Sequence, residues 1–384
     1  MEMNHDITAD GARPVVDRVK RPGGRQSFAA ATLVRRCDEG SALIVVIWII
    51  GLLAVVISSF AFEAHLEARI TSYYRKRGKA ESLAKSGLDV ARLLMVKSSK
   101  VKSGELTDEN KKDDDRWFDA AKVLSEGLPL AGGARVVEPL GDGTITVDVE
   151  SEQGRRNINA LGKNEKEVEA AFDRILEVGG VPEEFRLGQI DSFMDWTDPD
   201  ATPRQAGAET EDYYSTLPEP YKARNGPLDD VEELLQLKNF NRTILYGGVI
   251  STGKVDKESV SISGIRDLLT VYGDGKVNVN TASERVLRTL PNVDEITARA
   301  IIEERQGLGA VDKGKKENTS FKNVDDLYRR IPELDPLVRN YVATDSAIYR
   351  VTSIGTVGTV QVKVWAIVRF ENGALTVLRW REND

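Results

Sequence analysis

The chain has 384 residues, of which 41% are hydrophobic and 30% charged, and it carries a formal charge of −8. That composition suits folded soluble domains with room for one membrane segment and excludes a multi-span protein. The acidic balance argues against a nucleic-acid partner, and one cysteine (Cys37) with two histidines (His5, His65) excludes an internal disulfide, Cys–His or Ser–His–Asp catalysis in the soluble region, and a zinc site.

Residues 1–36 show no helical or strand period and read as a disordered cytoplasmic tail. Arg18, Lys20, Arg21, Arg25, Arg35 and Arg36 precede an uncharged, proline-free run, Ser41 to Phe62. About 20 apolar residues suffice to cross a bilayer as a helix, and the basic flank keeps the amino terminus inside. The bulk of the chain then lies outside the cytoplasm.

Basic residues, then Gly40, then a long apolar helix resemble a type IV prepilin leader. The resemblance implies cleavage between Gly40 and Ser41 by a prepilin peptidase, followed by methylation of the new amino terminus. Three departures stand out: Ser41 replaces the usual aromatic residue, Asp38–Glu39 interrupt the basic leader, and Val45 stands where most pilins have glutamate. A plain signal-anchor would share the general pattern.

Beyond Glu63 the apolar positions Leu83, Ala84, Gly87, Leu88, Ala91, Leu94 and Met95 keep helical spacing. A continuous helix from Ser41 to about Lys97 is expected, roughly 85 Å long at 1.5 Å per residue. The polar stretch Ser98–Arg116 follows, with Asp113–Asp114–Asp115 read as a solvated loop. Ala134–Pro139 and Thr144–Val149 flank Gly141–Asp142–Gly143 as a hairpin. Residues 157–345 read as mostly helical, and strands return at Tyr349–Ser353, Val360–Phe370 and Leu375–Arg381. One sheet domain, 63–156 and 346–384, interrupted by a helical insert, is the expected arrangement.

Within the insert, Asn157–Ile158–Asn159–Ala160–Leu161 opens a helix to about Gly179, and Asn278–Val279–Asn280–Thr281–Ala282 opens another with Thr281 as N-cap. Leu228–Leu237 and Phe321–Ile331 are their acidic amphipathic partners, and Glu295–Arg305 is a further helix. The second unit resembles a helix-hairpin-helix module. Its turn, Pro291–Asn292–Val293–Asp294, has no Gly-apolar-Gly sequence to meet a phosphate and is acidic, so it reads as a packing unit.

The segment from Asp195 to Asp212 concentrates oxygen ligands: Asp195, Asp198, Asp200, Thr202, Glu209 and Asp212. From Asp198, positions one, three, five and twelve match an EF-hand loop, but position six is Pro203 where glycine is needed. The residues alone leave a hard-cation site and a solvated acidic loop both open. A glycosidase carboxylate pair has no other support.

Taken in order, Ile190-Asp-Ser-Phe-Met-Asp-Trp-Thr-Asp-Pro-Asp, Gly207-Ala-Glu-Thr-Glu-Asp-Tyr-Tyr, Asn225-Gly-Pro-Leu-Asp-Asp-Val-Glu-Glu-Leu and Val277-Asn-Val-Asn-Thr-Ala resemble the minor pseudopilin K family of type II secretion. The resemblance implies an α+β fold: a pilin-like long helix and antiparallel sheet, interrupted by an α-helical domain with two SAM-like or helix-hairpin-helix-like modules. It implies structural Ca2+ held by Asp195, Asp198, Asp200, Thr202, Glu209 and Asp212. It also implies a non-enzymatic subunit, single-pass in the inner membrane with a periplasmic soluble part, that joins minor pseudopilins I and J at the pseudopilus tip. Val45, lacking the carboxylate, is the tip-specific position. The alternative is a DNA-handling pilin-like protein of a competence or type IV pilus system.

Overall fold

The computed structural model describes residues 39–112, 115, 117–126, 134–251, 259–307 and 319–383. Two compact units divide at Glu67/Ala68. Helix α1 (Glu39–Lys102) runs through that division and ends five residues beyond the expected Lys97. In the first unit, every described side chain from Ala42 to Glu67 is exposed, and the large apolar ones from Leu43 to Phe62 are exposed by half or more. This is the one helix among the described residues long and apolar enough to cross a membrane.

In the second unit α1 changes character. Ala80, Ala84, Ala91, Leu94 and Met95 are buried, at helical spacing. Helix α2 (Phe118–Glu126) follows, then strands β1 (Ala134–Leu140) and β2 (Gly143–Ser151). The two strands turn through Gly141, whose φ of +63° suits glycine. Asp115 is largely covered rather than free in solvent: Lys97 pairs with it and its side chain is 12% exposed. Asp113, Asp114 and Arg116 fall outside the described residues.

The insert contains β3 (Arg156–Asn157), α3 (Glu165–Val178), α4 (Glu183–Thr197), α5 (Arg242–Tyr246), and the hairpin strands β4 (Gly248–Ser251) and β5 (Ser259–Ile262). After β6 (Leu269–Thr270) and β7 (Val277–Asn278) come α6 (Glu284–Leu287), α7 (Glu295–Arg305), α8 (Val324–Arg330) and β8 (Val342–Ala343). The chain closes with β9 (Ile348–Val357), β10 (Val360–Glu371) and β11 (Ala374–Asn383). The five long strands form one antiparallel sheet in the order β1-β2-β9-β10-β11. Strand β2 therefore pairs with β9 across the whole insert, with Val147 opposite Ser353.

Helix α1 lies on this sheet at close range. A methyl group on Gly355 would fall 2.0 Å from the carbonyl oxygen of Ala80, and one on Gly87 would fall 1.9 Å from Ser353 Oγ. Val136, Ile145, Val147, Val149, Val351, Ala366 and Val368 complete that core.

The weak repetition has a definite physical form. Each repeat opens and closes on a two-residue parallel pairing: Arg156–Asn157 with Leu269–Thr270, and Val277–Asn278 with Val342–Ala343. In each, the first asparagine accepts from the N–H of the second: Asn157 from Asn159 at 3.0 Å, Asn278 from Asn280 at 2.9 Å. The second asparagine clamps a distant backbone. Asn159 holds Leu228 N–H and C=O at 2.8 and 2.9 Å, and Asn280 holds those of Phe321 at the same distances. A buried arginine donates to carbonyls of each motif, Arg156 to Leu161 and Arg305 to Val279 and Ala282. Burial lowers both guanidinium pKa values to about 10.

Several local expectations need correction. Residues 158–160 form a single 3₁₀ turn and α3 starts only at Glu165, capped by Asn164. Ser283, not Thr281, caps α6, accepting from Val286 N–H at 3.2 Å. Thr281 Oγ1 instead donates to Asn278 C=O. The partner at Leu228–Leu237 is a 3₁₀ helix over Val231–Gln236. The insert also holds more strand pairing than a mostly helical reading allowed. A side chain that bonds locally to backbone competes with the helix it was expected to start, and the asparagines do so here.

Candidate cation site

Helix α4 delivers the site. Its last turn carries Asp195 and Trp196, both buried, and Asp198 N–H closes the helix on Met194 C=O at 2.9 Å. The loop that follows folds back over the helix end. Asp195 is fully buried and accepts Arg204 N–H at 3.0 and 3.2 Å. A methyl on Gly207 would lie 1.9 Å from Asp195 Oδ2, so only glycine lets this carboxylate pin the loop. Asp191 takes Ala206 N–H at 2.9 Å. Arg204 then reaches out to Glu169 at 2.9 Å and Glu165 at 3.1 Å on α3.

With the loop so held, Asp198, Asp200 and Glu209 converge. Each offers a carboxylate oxygen, and the three atoms lie within 4.8 Å of one another. Glu209 is 1% exposed and neither of its oxygens has a hydrogen-bond partner among the described residues. Asp198 Oδ1 is likewise buried and unpartnered. Burial, together with the Asp195 and Asp198 charges, pushes Glu209 up to about 7. Burial and the charges of Asp200 and Asp195 push Asp198 up to about 6. Unpaired buried carboxylates are costly, and a bound cation removes the cost.

The donor set fits a hard cation. It is all oxygen, and the three atoms lie close enough together to share one ion at a Ca–O distance of about 2.4 Å. Of the six residues expected to ligate, the fold brings Asp198, Asp200 and Glu209 together. Asp195 is engaged with Arg204 and the loop backbone instead. Asp212 accepts Glu209 N–H at 2.7 Å, bracing the ligand's own backbone. The Thr202 N–H donates to Asp200 Oδ1 at 2.8 Å, and that residue is exposed. Asn225, part of the Asn225-Gly-Pro-Leu stretch, donates from Nδ2 to Asp200 C=O at 2.6 Å, and its Oδ1 is buried without a partner among the described residues. Nothing local marks it, because it comes 25 residues after Asp200. Gly40 and Ser41 fall in the first turn of α1, and Val45 is 55% exposed on the same helix.

A long amino-terminal helix laid on an antiparallel sheet, with a helical insert between two of its strands, makes a pilin-like fold. Residues 154–246 match the family model described as type II secretion system (T2SS), protein K. The type II secretion system protein K of Pseudomonas aeruginosa strain PAO1 is 26% identical over 354 residues, covering 90% of this chain and 93% of that one. A chain in the crystal structure of the GspK-GspI-GspJ complex from enterotoxigenic Escherichia coli aligns with a TM-score of 0.50 and 16% identity, over 84% of this chain and 99% of its own. The chain is a relative of type II secretion system protein K.

Proposed function

We propose that this subunit sits at the tip of the type II secretion pseudopilus and initiates its assembly together with I- and J-type minor pseudopilins. The observation that carries the reading is the insert, residues 152–347, placed between paired strands β2 and β9. Shaft subunits must accept another subunit above them, and a block of nearly two hundred residues obstructs such stacking. The partners follow from the complex in which the aligned structure was solved, one that includes I and J proteins.

On this reading residues 1–40 are a leader removed by a prepilin peptidase, with methylation at Ser41. Residues 41–62 anchor the chain in the inner membrane, and the soluble part faces the periplasm. Val45 supports a first-placed subunit, because it offers no carboxylate to a neighbour's terminal amine. Asp198, Asp200 and Glu209 hold a structural Ca2+, which locks the loop after α4. The reading assigns the chain no catalytic step. Co-purification of the full chain with its I- and J-type partners from detergent-solubilised membranes tests it. A ternary complex is expected, and recovery of the chain only with shaft subunits would overturn the assignment.

A further inference from the structure

The cation loop does not stand alone. Asn225, at φ +48°, directs its amide onto Asp200 C=O, and the next N–H, of Gly226, reaches Trp196 C=O at 3.4 Å. Arg224 pairs with Asp229 at 2.6 Å and with Glu233 at 3.2 Å, and Glu233 also accepts Trp196 Nε1–H at 3.1 Å. Residues 224–230 thus form a strap across the site. Its far end is tied to a different part of the fold. Asp230 pairs with Arg379 Nη2 at 2.5 Å, and Arg379 Nη1 donates to Asp229 C=O at 3.3 Å. Arg379 belongs to β11, the edge strand of the pilin sheet, where its guanidinium lies 6.0 Å from the Trp365 ring.

We propose that Asn225 and Arg379 are positioning residues of the cation site: the sheet holds the strap, and the strap holds Asp200 in register with Asp198 and Glu209. The proposal rests on reading those three carboxylates as a cation site. Linkage makes the effect reciprocal, so a bound cation also tightens the insert on the sheet. Electrostatics alone predicts the opposite sign for one variant. Arg379 is itself cationic, and losing its charge would by long-range repulsion strengthen binding of another cation. Positioning predicts weakening.

The test is calorimetric titration of the full chain in detergent with CaCl2, for the wild type, Arg379→Gln and Asn225→Gly. Glycine accepts the positive φ without strain and removes the side-chain amide. Both variants should bind about tenfold more weakly, within the range typical of coupled sites. Calcium should also slow hydrogen exchange at β11 amides in the wild type and much less in Asn225→Gly, a readout that a merely structural role would not move. Unchanged affinity, or tighter binding in Arg379→Gln, overturns the proposal while leaving the cation site intact. A wild type that takes up no calcium overturns the cation reading, and this proposal with it. Should Arg379→Gln fail to fold, Asn225→Gly decides alone.

Discussion

Glu209 concentrates the chemistry of the site in one side chain. Both its oxygens are buried and unpartnered among the described residues, and its carboxyl is pushed up to about 7, well above the ~4.3 of an unfolded chain. Between those values the folded protein holds a proton that the unfolded chain has released. Without cation, stability therefore falls as pH rises from about 4.5 to about 7. With calcium the carboxylates must be ionised, so affinity should rise with pH through 6 to 7, with proton release on binding. Melting of the full chain in chelator at pH 5 and pH 8 checks the first expectation. Calorimetry in buffers of differing ionisation enthalpy checks the second. Asp200→Ala should abolish the calcium-dependent rise in Tm, which in the wild type corresponds to about 2.7 kcal/mol at a hundred times Kd. A rise that persists in Asp200→Ala would remove that residue from the site.

At the scale of elements, the close contact of α1 and β9 depends on glycine at Gly355. Gly355→Ala should cost at least 1–3 kcal/mol, the usual range for overpacking, measured by urea unfolding. The asparagine clamps should cost about 1–3 kcal/mol each when replaced by alanine, because Leu228 or Phe321 then keeps buried backbone groups without partners. Equal losses for Asn159→Ala and Asn280→Ala would mark the two repeats as energetically equivalent units.

These elements also show what the sequence made legible. The hairpin turns, the apolar period of α1 and helix α7 over Glu295–Arg305 follow from local rules, and the strands appear within a few residues of their expected ends. The asparagine motifs misled as helix starts because the first asparagine of each bonds the backbone two residues on, while the second answers to a partner about 40 to 70 residues away. The same reason hid Asn225 and turned Asp195 inward: a loop's ligands are chosen by how the chain returns over α4. The density of carboxylates was readable, but which of them face one another was not.

For the whole molecule, the claim that matters is place in the assembly. The insert interrupts the sheet between β2 and β9, and Val45, near the amino terminus of α1, offers no carboxylate. Val45→Glu should let the subunit enter the shaft in greater number, seen as a raised ratio of this chain to major pseudopilin in sheared filaments. The most direct measurement is gold labelling of an epitope at the carboxy terminus of the full chain in assembled pseudopili. Label confined to one end of each filament is the predicted result. Label spaced along the shaft would contradict the account.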